Sequence, residues 1–184
     1  EVSQDAYGAI IAVDTLVYGG IVPSRLHYDD VSTLKARLET LKEIKRQNKD
    51  IKLFAYNLLM RNPAYSSSEE EPDYYETEGR NIHLFGVYQH KIEIGEITDT
   101  EKESYEKIKK TINYDNLNDY LTRREKNIEI NKEFLQYVKK EIIDFAIIPQ
   151  DDSSPYGLTA KDQQTIRKQI STLGIQLKCY MYPD

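Results

Sequence analysis

Four short, largely apolar runs constrain this chain more than any other feature: residues 8–13 (GAIIAV), 51–57 (IKLFAYN), 144–148 (DFAII) and 175–181 (IQLKCYM). Runs of this kind suit strands buried on both faces, as in parallel sheets. Parallel strands need crossovers of a dozen or more residues, and the intervals here are long enough to supply them. In the first interval Val31, Leu34, Leu38, Leu41 and Ile44 recur every three or four residues. That spacing puts one apolar stripe on a helix that Asp29 or Asp30 can cap. In the last interval, residues 159–173 carry Ile166, Ile170 and Leu173 on one side, and Gly174 is placed to end the helix. Two β-α-β units result. With crossovers of one hand, they predict an α/β fold: a mainly parallel sheet of about four strands with flanking helices.

The middle interval, residues 60–141, is too long for an ordinary connection and is rich in charged helix formers, so it is expected to be a long helical insertion near one end of the sheet. A loop over residues 63–73 opens it, with Ser66, Ser67, Ser68, Glu69, Glu70, Glu71 and Pro72. Helices are expected over 74–94, 99–112 and 117–141. Residues 1–184 then make one α/β domain or a fragment of a larger one. A start at Glu1 rather than Met, and a stop at Asp184 directly after an apolar run, favour the fragment.

Charge excludes some partners. Lys and Arg number 25 against 31 Asp and Glu, a net charge of −6, which offers no broad footprint for a phosphate backbone. No apolar run approaches the roughly 18 residues that cross a bilayer. No nucleic acid and no membrane is expected. The single cysteine, Cys179, cannot form an internal disulfide, which suits a reducing compartment, and the expected location is cytoplasmic.

Polar residues gather where the runs end. Asp14 closes the first, Arg61 lies beyond the second, Asp151 and Asp152 follow the third, and Asp184 follows the fourth. In open α/β sheets ligands bind outside the carboxyl ends of the strands. Asp14, Asp151 and Asp152 are therefore the candidate catalytic carboxyls, although an Asp after a strand also serves simply as a turn or helix cap. Arg25, downstream of Gly19 and Gly20, can fork onto a carboxylate or phosphate, or onto Asp14. Arg124, Asn127 and Asn131 share one helix face with Tyr120 and Phe134 and join Arg25, Arg61 and Tyr156 as the candidate ligand-binding set. His27, near Arg25, is a further acid or base candidate. His83 and His90 share a helical face without a third ligand, so no metal is assigned. No G-x-G-x-x-G, Walker-type G-K-[ST] or G-x-S-x-G pattern occurs, and no cofactor is expected.

Taken together, D-T-L-V-Y-G-G-I-V-P-S-R (residues 14–25), M-R-N-P-A-Y (60–65) with E-E-P-D-Y-Y (70–75), Y-L-T-R-R-E-K-N-I-E-I-N (120–131) and P-Q-D-D-S-S-P-Y-G (149–157) resemble the bacterial family called domain of unknown function 4127. The resemblance implies a longer protein, with an acid-rich segment before this region and more sequence after it. Missing segments of its own chain would then complete the site. It implies no established reaction. Three functions compete: a hydrolase acting on a small polar or carbohydrate-like substrate, a non-catalytic module binding a small polar ligand, and an interaction fragment of a larger protein. Two carboxylates meeting in a partly dry cleft would favour the first.

Overall fold

The computed structural model describes residues 6–152 and 154–182. Strands β1 (Gly8–Ala12), β2 (Lys52–Tyr56), β3 (Phe145–Pro149) and β4 (Cys179–Tyr182) form one sheet in that order, and every neighbouring pair is parallel. All the apolar runs form strands, with trimmed ends. The fourth is trimmed most, because residues 176–178 make a turn before the chain joins β3. Asp144 falls just outside β3, where its carboxylate accepts the Leu53 N–H (2.9 Å) and pairs with Lys45 and Lys52.

The helices are α1 (Val13–Tyr18), α2 (Ile21–Leu26), α3 (Val31–Leu38), α4 (Thr40–Gln47), α5 (Tyr75–Ile94), α6 (Asp99–Thr111), α7 (Tyr114–Lys139) and α8 (Leu158–Leu173). The single helix expected from Val31 is two, α3 and α4, meeting at Glu39. Its stripe persists across the break, with Leu34, Leu38, Leu41 and Ile44 all buried. Asp30 is the cap, its carboxylate accepting the Thr33 N–H at 2.7 Å, while Asp29 pairs with Arg37. Asp14 does not close β1. It lies in the first turn of α1, and the chain reverses into α2 through Gly19 (φ 92°) and Gly20 (φ 151°), conformations that a side chain would strain.

Crossovers of one hand between strands in sequential order place every connecting helix on the same side of a sheet. The core reflects this: Ala55, Ala146, Ile148 and Cys179 pack beneath Val13 and Val17 of α1, Leu34 and Leu38 of α3, Phe134 and Val138 of α7, and Ile166 and Ile170 of α8. The alternate strand residues Ile10, Phe54, Tyr56, Ile147, Tyr180 and Tyr182 are exposed. The expectation of strands buried on both faces is thus corrected. Both faces are apolar, and the described helices cover one.

Residues 60–141 divide in two. The second half of α7, with Ile130, Phe134, Leu135 and Val138, is the β2-to-β3 crossover packed in the main core. Helices α5 and α6 and the start of α7 build a second core from Tyr75, Ile82, Phe85, Ile108, Leu117 and Tyr120, to which Met60 and Leu158 contribute. Gly86 is required there, since a Cβ would stand 2.6 Å from Leu158 Cγ. Among the described residues no helix is long and apolar enough to cross a membrane.

Phe134 is fully buried between sheet and helix layer. Phe134→Ala should cost about 3–5 kcal/mol in urea unfolding, whereas Lys132→Ala, two residues away on the opposite, exposed side of α7, should stay within about 0.5 kcal/mol. Equal effects would contradict this packing.

Candidate functional site

The site is organised by a short segment just beyond β2. Residues 58–62 leave the sheet and run through the interior, where unpaired backbone polar groups are costly. Side chains from α1, α5, α7 and the turn after β3 receive them. Leu58 N–H donates to Asp14 Oδ2 (3.0 Å), and Leu58 C=O accepts from Asn131 Nδ2 (3.3 Å). Arg124 donates to the carbonyls of Met60 (2.6 Å) and Arg61 (3.0 Å), and Tyr120 Oη also donates to Arg61 C=O (2.9 Å). Asn62 N–H reaches Asp152 Oδ2 (3.3 Å), and Asn62 C=O accepts from His83 Nδ1 (2.7 Å). This scaffold holds the Arg61 side chain out beside the loop that opens the insertion.

There two guanidinium groups share three carboxylates. Arg25, only 3% exposed, donates from Nη1 to Glu70 Oε2 (2.9 Å) and from Nη2 to Asp151 Oδ2 (2.7 Å), and lies 3.6 Å from Glu71 Oε1. Arg61 donates from Nε to Glu71 Oε1 and from Nη2 to Glu70 Oε2, both at 2.9 Å. Burial raises the Glu71 pKa above the usual carboxylate range in spite of both arginines. A small cavity of about 50 Å³ opens here, lined by Arg61, Tyr65, Ser67, Glu69, Glu70 and Glu71.

Asp14 lies deeper. Burial pushes its pKa up to about 6, against the opposing pull of the Leu58 N–H and the Arg25 charge. Tyr18, its neighbour one turn on, is raised by burial and by the Asp14 charge, and its ring stands 5.0 Å from that of His27. Burial lowers the His27 pKa, and Nε2 donates to Asn127 Oδ1 (2.9 Å). Asn127 Nδ2 in turn donates to Ser24 C=O (2.8 Å).

The structure therefore brings Asp14, Arg25, Arg61, Arg124, Asn127, Asn131, Asp151 and Asp152 to the carboxyl end of the sheet. Tyr156 stands apart, with its hydroxyl on Glu96 and the Lys91 ammonium over its ring. Asp184 is outside the described residues. Within the assembled set, Arg124, Asn127, Asn131 and Asp152 spend their hydrogen bonds on backbone or neighbouring side chains. Arg25, Arg61 and Asp151 form the charged face.

Sequence reasoning did not single out Glu70 and Glu71 as ionic partners, Asp162, which pairs with buried Arg124, or Asn57, whose side-chain amide is buried and unpartnered. Asn57 carries a signal, since it is a polar residue at the carboxyl end of the second apolar run, as Asp14 is of the first. A groove of about 770 Å³ runs along α7 and α8. Lys35, Glu129, Lys132 and Lys161 are among its lining, and Asp14, Arg25, Arg61 and Asp151 are not. His83 and His90 anchor backbone, the latter accepting the Gly157 N–H (3.2 Å), and no group of three or more metal-ligating side chains occurs among the described residues.

A family model described as "Protein of unknown function (DUF4127)" matches residues 1–183. No curated protein and no solved structure matches the chain.

The perturbed carboxyl has a thermodynamic consequence. A folded-state pKa of about 6 against an ordinary 3.8 means that the folded protein holds the Asp14 proton more tightly than the unfolded chain. The associated stability is complete below about pH 4 and is lost as pH rises through 6. Asp14→Asn keeps an acceptor for Leu58 and removes the titration. Urea unfolding should show the Asn variant gaining on the wild type by on the order of 3 kcal/mol between pH 4 and pH 7. A difference independent of pH would contradict the assignment.

Proposed function

The chain belongs to the family of unknown function DUF4127, and from that premise we propose that its carboxyl-end cluster is a hydrolytic site for a small polar, carbohydrate-like substrate. The observation that supports this reading is Asp14, a buried carboxyl poised to exchange a proton near neutral pH within the field of Arg25. A general acid or base works best when its pKa lies near the operating pH. In this reading Asp14 transfers the proton. Asp151, oriented by Arg25, is the second carboxyl that glycoside hydrolysis requires. Arg61 and Glu70, at the mouth of the cluster, meet the substrate's hydroxyl groups. Asp152, Arg124, Asn127 and Asn131 position the backbone from which these groups project. The reading invokes no cofactor.

A second reading, a non-catalytic binding module, has its own support. Arg25 and Arg124 are already engaged within the protein, so recognition falls to the few polar groups left at the surface.

Both readings are tested with a panel of 4-nitrophenyl glycosides and esters, assayed between pH 4 and pH 8 with wild type and Asp14→Asn. The proposal predicts turnover of at least one substrate, with a pH inflection near 6 that is missing from the variant, and a rate in the variant lower by about 100-fold or more. Turnover indifferent to Asp14→Asn would overturn it. No turnover, together with a rise in Tm on adding free sugars, would replace it with the binding module.

A further inference from the structure

The bare face of the sheet is the least explained surface of this molecule. Ile10 (80% exposed), Phe54, Tyr56, Ile147, Tyr180 and Tyr182 stand on it in register, Ile10 beside Phe54 and Tyr56 beside Ile147 beside Tyr180. All-parallel sheets occur almost only with both faces covered, so a bare apolar face on this one marks a surface that is covered in the working protein. Lys52 is at its amino end; its centre has no charge.

Three observations identify the cover. Strand order follows chain order without exception, so the open edges of β1 and β4 are the positions where a preceding and a following strand of one polypeptide would add. All the crossover helices lie on the opposite face, and further units of the same hand would add theirs there too, leaving the bare face to be covered by the sheet itself as it curls. The face is also small. Four strands about 4.8 Å apart and five residues of about 3.3 Å give a footprint of roughly 300 Å². A separate molecule held stably needs roughly 800 Å² on each partner. A covalently continuous segment escapes the cost of association, and so a patch of this size suffices for it.

We propose that further parallel β/α units of the same polypeptide, flanking residues 1–184, pair with the open edges of β1 and β4 and close the bare face into the lining of a barrel-like interior. The four strands described here are then one arc of that wall. The carboxyl ends of all its strands meet at a single rim, as in β/α barrels, and Asp14, Arg61 and Asp151 stand on that rim beside groups from the added strands. This inference is independent of the reaction assigned to Asp14.

The test is hydrogen exchange on the polypeptide produced with its flanking coding sequence, measured against residues 1–184 alone. The outward amides of β1 and β4 should exchange at least about 100-fold more slowly in the extended protein, which should be monomeric by light scattering. In the extended protein Ile10→Lys and Tyr180→Lys should each lower Tm by about 10 °C or more, while Leu177→Lys, at a position 95% exposed, should leave it nearly unchanged. Should the lysine variants fail to fold, exchange in the wild type still decides. Edge amides that exchange as fast as loop amides would overturn the proposal in favour of a helix layer or no cover. Protection that arises only when two copies of residues 1–184 associate would overturn it in favour of a dimer.

Discussion

The buried guanidinium of Arg25 is the interaction on which the carboxyl end depends. A charge withdrawn from water is tolerated only when counter-charges and hydrogen bonds surround it, and removing one partner of such a group costs about 3–5 kcal/mol. Arg25 stands on α2, Glu70 and Glu71 on the loop that opens the insertion, and Asp151 on the turn after β3. One side chain thus ties together three segments that meet nowhere in sequence. It sets where the insertion sits against the sheet. It also offsets much of the negative charge that three adjacent carboxylates bring together.

Residues 58–62 carry a second constraint of the same kind. An irregular segment in the interior must have its N–H and C=O groups received; on the β3 side Leu59 N–H still donates to the Pro149 carbonyl (3.1 Å), while elsewhere side chains receive them. Asp14 and Asn131 continue for Leu58 the ladder that β1 no longer supplies. Arg124 serves two carbonyls at once, a task its forked donors suit and a lysine ammonium would perform poorly. Polar residues that look like a ligand-binding set on a helical wheel therefore act first on the protein's own backbone. Tyr120 and Arg124 thereby fix the backbone from which the Arg61 side chain projects.

Much of the architecture is readable from local pattern. Apolar runs separated by crossover-length intervals define the parallel sheet, and the stripe of Leu34, Leu38 and Leu41 marks its helix face whether or not the helix breaks at Glu39. The convergence of Asp14, Arg61 and Asp151 follows from where the parallel strands end, and Arg25 joins them from α2. Other features depend on distance in space. Arg25 meets Glu70 and Asp151 across 45 and 126 residues of sequence, which no local pattern encodes. The bare face was hidden for a different reason. Ile10, Phe54 and Ile147 read as apolar strand residues in either case, because composition records what a face can bury against and not what lies over it. The dual role of α7, half insertion and half crossover, was masked by its unbroken helical periodicity.

Arg25 and its carboxylates assemble the carboxyl end as a unit. A double-mutant cycle between Arg25→Met and Asp151→Asn, read by urea unfolding at pH 7, measures this most directly. The predicted coupling is about 1–2 kcal/mol, below the value for a fully buried pair because the Asp151 side chain remains 35% exposed. Single-mutant effects that add to within about 0.5 kcal/mol would mean that Arg25 and Asp151 are neighbours without being partners, and would contradict the claim.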